Sequence, residues 1–157
     1  MIYKYDLEIK KNKLNLAIKR RYNYENINNI DRALFCIVDI NKTYKAAIEK
    51  SYVLAFKNSI FIGFIELGIG DNREVTMPLS TAFKFLLLSD ADEFVIAHSH
   101  PVGCAITPSE GDLVFHSQVK YISDILNIKL SADAIIQSYE WYDMLTKEVR
   151  YVDDGKD

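Results

Sequence analysis

Cysteine is scarce in this sequence, and its scarcity limits the kinds of protein that the chain can be. Only Cys36 and Cys104 occur in 157 residues, far too few for the disulfide framework typical of small secreted domains. A long apolar run is also lacking, because the stretch over residues 60–65 ends at Glu66. No membrane span is therefore predicted. Charged residues stand at the N-terminus where a signal peptide needs an apolar segment, so we expect a cytoplasmic protein.

Internal repeats and low-complexity linkers are absent as well. The 157 residues are enough to bury one complete core. Hydrophobic residues make up 49% of the sequence and charged residues 26%, which is an ordinary balance for a globular protein. We predict a single domain over residues 1–157, with a basic N-terminal extension over 1–28, a core over 29–152 and a tail over 153–157.

Basic residues are concentrated at the start of the chain. Residues 1–24 carry a net charge of +5 and the rest of the chain carries −8, within a formal total of −3. Such a start could contact nucleic acid or an acidic partner, or it could form the solvated face of a strand and turn. The sequence pI near 5.6 is not that of a domain with an overall basic surface for phosphates. We therefore favour the solvated strand and expect no nucleic-acid partner.

Hydrophobic periodicity predicts strands that alternate with helices. In chain order, the pattern favours a helix over about 31–50 capped by Asp31, strands over 51–57, 60–67 and 73–77, a helix that opens at Pro78, a strand over 93–98, a helix over 108–126, and strands to residue 152. This order is typical of an α/β sandwich, with helices packed on a mixed central sheet.

Two histidines stand at the end of the apolar strand predicted over residues 93–98. His98 and His100 are two positions apart, and side chains at that spacing along a strand point to the same side. The sequence therefore predicts two imidazoles that point to the same side of the sheet at the end of this strand.

A helix start follows closely. Thr107 is suited to the N-cap, Pro108 to the first helical position, and Glu110 to the reciprocal position of a capping box. Ser109 and Asp112 are three residues apart in the first turn, and therefore lie on one helix face.

Two histidines and a carboxylate at a junction between strand and helix predict a metal site. His98, His100 and Asp112 would hold zinc in a three-ligand arrangement whose fourth position is left to water. Such an open site is typical of a hydrolase. Cys104 could supply a fourth ligand or could be a small loop residue. His116, one turn beyond Asp112, could support that ligand or could be a partly exposed helix histidine.

The residues His98-Ser99-His100-Pro101-Val102-Gly103, Thr107-Pro108-Ser109 and Asp112 resemble the signature of the JAB/MPN (JAMM) metalloprotease superfamily, and within it the RadC-like branch. That signature is an upstream Glu, then His-x-His, then Ser-x-x-Asp. The resemblance extends from about residue 30 to residue 150. It implies a cytidine-deaminase-like α/β/α sandwich, the JAB1/MPN fold, with one catalytic zinc per chain.

The resemblance also implies roles for two further residues. It places the general base on Glu66, because the family's glutamate lies on a strand upstream of a Gly-containing loop. Glu66 interrupts an apolar strand, where an unpaired carboxylate would be costly to bury, although alternation could instead place it on the solvent face of an edge strand. Ser109 would donate a hydrogen bond to the developing oxyanion.

The sequence departs from the RadC-like pattern in several places. It has His-Ser-His where that branch usually has His-Asn-His, and the loop between His100 and Ser109 is one residue longer. Asp133 is followed by Ala134 rather than by histidine. The N-terminal helices of full-length RadC proteins are not found in the sequence, which gives a role in DNA repair little support.

The activity implied is zinc-dependent hydrolysis of a peptide or isopeptide bond, by a metallopeptidase or isopeptidase of the JAMM type. The substrate would be a protein or peptide, with a ubiquitin-like tail among the possibilities. Two alternatives remain open: a non-catalytic scaffold for protein interactions on the same fold, and a DNA-repair-associated RadC-like factor.

Overall fold

One mixed sheet with helices on both faces forms the fold. A computed structural model describes residues 1–45, 47–69 and 79–156. Its elements are β1 (Ile2–Lys10), β2 (Lys13–Tyr22), α1 (Ile30–Asn41), a 3₁₀ helix (Thr43–Lys45), β3 (Lys50–Lys57), β4 (Ile60–Ile69), α2 (Leu79–Leu88), β5 (Glu93–Ser99), α3 (Glu110–Leu126), β6 (Lys129–Gln137), β7 (Glu140–Asp143) and β8 (Glu148–Tyr151). The strands are ordered β2-β1-β4-β3-β5-β6-β7-β8 across the sheet.

The sheet is mixed because β1 runs parallel to β4 and β5 runs parallel to β6, whereas the other neighbouring strands are antiparallel. Successive residues of a strand face opposite sides. On β3, Tyr52 and Leu54 pack with α1 on one side, while Val53 and Ala55 pack with α2 and α3 on the other. The predicted α/β fold, with helices on a mixed central sheet, is confirmed.

Helix α1 is shorter than the sequence pattern predicts. Its N-cap is Asn29 rather than Asp31, and the Asn29 side chain accepts a hydrogen bond from the Arg32 backbone N–H. Asp31 instead accepts a hydrogen bond from the Trp141 indole, 2.7 Å away. The helix ends where Lys42 adopts a left-handed conformation, so the predicted end near residue 50 is wrong. Residues 47–49 are thereby left to lead into β3.

The strands β3 and β4 form the predicted hairpin. Asn58 and Ser59 have φ values of 51° and 66°, and two consecutive positive values are typical of the tight turns that join antiparallel strands. The strand predicted over 73–77 and the helix start predicted at Pro78 lie outside the described residues. Within the part of the chain that the structure describes, none of the helices has the length and apolar character needed to cross a membrane.

The ends of the chain pack against the rest of the fold. On the basic N-terminal extension, β1 pairs with β4, while β2 is an edge strand with Lys19, Arg20 and Arg21 exposed. At the other end, the Asp153 backbone N–H donates a hydrogen bond to the Asp31 carbonyl, 3.1 Å away. The segment from Asp153 therefore continues along the start of α1.

Candidate metal centre

The two histidines lie where β5 ends. His98 pairs with Ser51 of β3, two positions along from the pair Ile96 and Val53, which packs on the α2 and α3 side of the sheet. Because strand side chains alternate, His98 points to that side too. His100 follows, and its backbone N–H donates to the Ile136 carbonyl at 2.8 Å. The Nε2 atoms of His98 and His100 are 3.1 Å apart, so the two imidazoles point to the same side, as predicted.

Asp112 reaches the histidines from the first turn of α3. The helix is capped by Ser109, whose hydroxyl accepts from the Asp112 N–H at 3.1 Å, while the Ser109 N–H donates to Asp112 Oδ2 at 2.9 Å. The predicted capping box of Thr107 and Glu110 is therefore displaced by two residues, because the helix begins at Glu110 rather than at Pro108. The observed capping box fixes the side chain of the third candidate ligand.

The three donor groups have spacings that suit a metal ion. His98 Nε2 lies 3.3 Å from Asp112 Oδ1, and His100 Nε2 lies 3.5 Å from Asp112 Oδ2. Donors at tetrahedral corners around an ion, with bonds of 2.0–2.1 Å as zinc forms, are about 3.3 Å apart. Among the described residues, His98, His100 and Asp112 are the group of histidine, cysteine and acidic side chains that could hold a metal ion.

The electrostatics of the cluster favour a cation. Burial alone would raise the pKa of Asp112, but its contacts with the His100 and His98 imidazoles and the hydrogen bond from the Ser109 N–H outweigh burial and hold this pKa far below its usual range. Burial alone would lower the pKa of His100, but its contacts with Asp112, the Ala105 carbonyl and Glu49 leave it raised. The negative groups around the imidazoles thus favour positive charge at this point.

Glu49, which the sequence reasoning missed, is the second carboxyl group of the cluster. Its Oε1 lies 3.8 Å from His100 Nε2, and the residue is only 4% exposed. It directly precedes β3, and continuing the pairing of Ser51 with His98 by two residues places Glu49 opposite His100. In the sequence, Glu49 is recognisable only as an acidic residue immediately before an apolar strand. Its position beside His100 depends on the register of β3 with β5, which is a property of the tertiary structure.

Glu66 does not join the cluster. It pairs with Tyr52 of β3, whose side chain packs on the α1 side of the sheet, so Glu66 points away from the face that His98 occupies. Its carboxylate lies 3.4 Å from Lys4 Nζ. The expected place of Glu66 beside the metal ligands is therefore wrong, because strand alternation directs it to the opposite face.

The other residues that the sequence singled out have distinct environments. Ser109 is exposed and caps α3. Cys104 is exposed on the loop after His100 and is not a member of the metal-binding group. His116 donates or accepts a hydrogen bond at 2.7 Å with Asp133, which is 2% exposed. His116 is therefore a partly exposed histidine of α3, as one of its two interpretations predicts, and it is the partner of a buried carboxyl group.

The comparison with protein families agrees with this geometry. A profile of the RadC-like JAB domain family matches residues 30–149, and this range spans β3 to β6 with every residue of the cluster. No curated protein matches the chain. The family match covers well over half of the 157 residues, and its ends coincide with the start of α1 and the last strands of the sheet, so the chain belongs to the RadC-like JAB domain family.

Proposed function

We propose that this chain is a zinc-dependent hydrolase of peptide or isopeptide bonds. The observation that carries the proposal is the convergence of His98, His100 and Asp112, whose donor atoms lie 3.1–3.5 Å from one another. The buried carboxyl group of Glu49 lies alongside them. A scaffold would need neither the ligand spacing nor a second carboxyl group at the same point.

The donor set supports zinc as the metal. Two imidazoles and one carboxylate are a ligand set of catalytic zinc sites, which keep one position open for water or substrate. When bound, zinc supplies a Lewis acid that polarises a carbonyl group and lowers the pKa of a bound water. The capping box holds Asp112 in place for this role, and the Ala105 carbonyl, 2.7 Å from His100 Nδ1, orients the imidazole of His100.

Glu49 is the residue that we assign as general base. Its carboxylate takes a proton from the attacking water as the carbon–oxygen bond forms, and delivers that proton to the amine nitrogen as the carbon–nitrogen bond breaks. Its position 3.8 Å from His100 Nε2 supports this role, since it lies beside the ligands without being part of the closest set. This assignment replaces the one expected for Glu66.

Ser109 is assigned to the oxyanion. Its oxygen accepts a hydrogen bond from the Asp112 N–H, but a hydroxyl group has a hydrogen of its own to donate. That hydrogen would stabilise the negative charge that develops on the substrate carbonyl oxygen.

Exposed apolar side chains beside the cluster support a protein or peptide as substrate. Val102 is two residues beyond His100 and is 67% exposed, while Leu113, which follows Asp112 on α3, is 52% exposed. Exposed apolar groups next to a site suit the binding of a protein or peptide partner. A ubiquitin-like tail is one substrate that would present an extended chain to such a surface.

The metal site is tested by removing its ligands. Purified protein should contain one zinc per chain by elemental analysis, and His98→Ala and Asp112→Ala should each lose it, because two donors do not retain an ion that three hold. His116→Ala is the matched control, since it removes an imidazole from α3 that contacts Asp133 instead of the cluster. Full zinc content in both ligand variants would contradict the proposal.

The catalytic role is tested by two isosteric substitutions on opposite faces of the sheet. Glu49→Gln should keep zinc but lower hydrolysis of an internally quenched peptide library by at least about a hundredfold, because an amide cannot take the proton. Glu66→Gln makes the same chemical change 3.4 Å from Lys4 and should leave the rate within about twofold of wild type. Equal effects of the two substitutions would contradict the assignment of Glu49 as general base. Wild-type protein that binds zinc but hydrolyses no peptide would favour the non-catalytic scaffold.

A further inference from the structure

The loop that follows His100 determines which nitrogen of that imidazole is free. His100 Nδ1 lies 2.7 Å from the carbonyl oxygen of Ala105. A carbonyl oxygen can only accept, so the hydrogen of a neutral ring must be on Nδ1. The lone pair is then on Nε2, which is the nitrogen that faces His98 and Asp112. The position of Ala105 therefore controls the form in which His100 is presented to a metal.

This loop has little regular structure of its own to hold Ala105 in place. Residues 102–105 are exposed, and the contact within the segment is a turn in which the Cys104 N–H donates to the Pro101 carbonyl at 3.1 Å. Exposed loops are ordinarily the mobile parts of a fold. A group outside the loop is needed to fix its conformation.

Gln137, at the end of β6, is that group. Its Nε2 lies 2.9 Å from the Pro101 carbonyl oxygen and 2.6 Å from the Cys104 carbonyl oxygen. Both partners are acceptors, so the side chain must present its NH₂ group, which has two hydrogens to donate. Gln137 thus bonds to both ends of the turn and holds the residue that directly precedes Ala105.

We propose that Gln137 is a positioning residue for the metal centre. By clamping the turn over residues 101–104, it places the Ala105 carbonyl against His100 Nδ1 and keeps Nε2 free for the metal. The inference rests on the proposed metal site and extends it to a residue that contacts no ligand. A side chain with fewer than two hydrogens to donate cannot satisfy both carbonyl groups at this position.

Two substitutions separate the hydrogen bonds from the shape of the side chain. Gln137→Glu keeps the shape but faces two carbonyl oxygens with carboxylate oxygens, whereas Gln137→Met has similar length, no charge and no donor. Gln118→Glu is the matched control, because Gln118 is the other glutamine of the chain and lies exposed on α3. It receives the same change of charge without contacting the loop.

The first measurement uses metal-free protein with ¹⁵N-labelled histidine, at a pH high enough for the His100 imidazole to be neutral. Nitrogen chemical shifts should show His100 with its hydrogen on Nδ1 in the wild type and in Gln118→Glu. In both Gln137 variants the ring should become a mixture of the two tautomers. A purely structural role in β6 would not change the tautomer, and thermal unfolding of each variant shows that it is folded. If Gln137→Glu does not fold, Gln137→Met carries the comparison.

The second measurement is titration with zinc alone. Loss of groups that orient a ligand weakens metal binding by about tenfold or more, so both Gln137 variants should show at least this loss and Gln118→Glu should not. The inference is overturned if folded Gln137 variants keep the wild-type tautomer, or if they keep the wild-type zinc affinity. Wild-type protein that binds no zinc would overturn the proposed function instead, while the tautomers would still decide whether Gln137 positions His100.

Discussion

Glu49 and Glu66 are the same type of residue in opposite surroundings. Glu49 lies on the α3 side of the sheet, almost fully buried and 3.8 Å from His100 Nε2. Glu66 lies on the α1 side, where Lys4 balances its charge and a quarter of its side chain is exposed. A carboxyl group is buried at a cost unless neighbouring groups offset it, and such positions are enriched at functional sites. The environment, rather than the residue type, distinguishes the candidate base from a surface ion pair.

The two cysteines also differ in burial, and this difference predicts which of them reacts. Burial raises the pKa of the Cys36 thiol to about 12, whereas Cys104 is exposed. Since the thiolate is the reactive form, brief treatment with iodoacetamide at neutral pH should modify Cys104 alone in the folded protein and both cysteines after denaturation. Mass spectrometry of the peptides measures this directly, and modification of Cys36 in the folded protein would contradict it.

Cys104→Ser should keep its zinc. The cysteine is outside the group formed by His98, His100 and Asp112, and a catalytic site keeps its fourth position open. Elemental analysis of the variant checks this expectation. Loss of zinc would mean that the loop supplies a sulfur ligand.

At the scale of the element, the start of α3 combines two tasks. Asp112 closes the capping box with Ser109 and also approaches both histidines. The same hydrogen bonds that begin the helix therefore restrict the rotamer of a candidate ligand, so the stability of the helix start and the affinity for metal are coupled.

This coupling predicts the effect of Ser109→Ala. Loss of the N-cap should lower the free energy of unfolding by about 1 kcal/mol, and zinc affinity should fall with it because Asp112 loses a restraint. Urea unfolding and zinc titration measure the two effects. Ser117→Ala is the control, since the Ser117 hydroxyl bonds to the Leu113 carbonyl within the helix and caps nothing. Equal losses in both variants would argue against a special role for the cap.

Ser109→Gly separates the cap from the proposed oxyanion contact. Glycine at an N-cap costs only a few tenths of a kcal/mol, so the stability should stay close to that of the wild type. Hydrolysis should nevertheless fall by about a hundredfold if the hydroxyl stabilises the oxyanion. Wild-type turnover by this variant would confine Ser109 to its capping role.

At the scale of the whole molecule, the basic hairpin of β1 and β2 adds two strands to the sheet of the family domain and also packs against α2, where the Tyr5 and Phe85 rings are in contact. It lies outside the matched range of 30–149, and β1 pairs with β4 through Tyr3–Tyr5 and Gly63–Ile65. Gly63 permits this pairing by close approach, because a Cβ atom there would overlap the Tyr3 carbonyl oxygen and lie 2.5 Å from the Tyr5 ring. Glycine at this position therefore allows β1 to lie close enough to β4 to extend the sheet.

Gly63→Ala should therefore weaken the attachment of the hairpin while leaving the metal centre intact. We expect a loss of about 2 kcal/mol in the free energy of unfolding from the overlap. Zinc affinity should be unchanged, because β4 and β3 separate β1 from the two histidines at the end of β5. Urea unfolding and zinc titration of the variant test both parts. A fall in zinc affinity would show that the hairpin and the centre are coupled.

Local features of the sequence were sufficient to predict most of the described elements and the three residues that could hold a metal ion. The spacing of His98 and His100 depends only on strand alternation, and Asp112 follows from a helix that must begin near Pro108. Helix ends were predicted less well, because Asn29 and Ser109 cap the helices where other polar residues were equally suitable.

The sequence by itself determined the alternation of strands and helices and the residue types of the metal cluster, since these depend on neighbours within a few positions. The tertiary structure decided which carboxyl group stands beside them. The antiparallel register of β3 with β5 brings Glu49 opposite His100, whereas the pairing of Glu66 with Tyr52 directs Glu66 to the α1 side. Register depends on contacts between residues far apart in the sequence, 14 positions for Tyr52 and Glu66 and 47 for Ser51 and His98, and a shift of one residue would exchange the two faces.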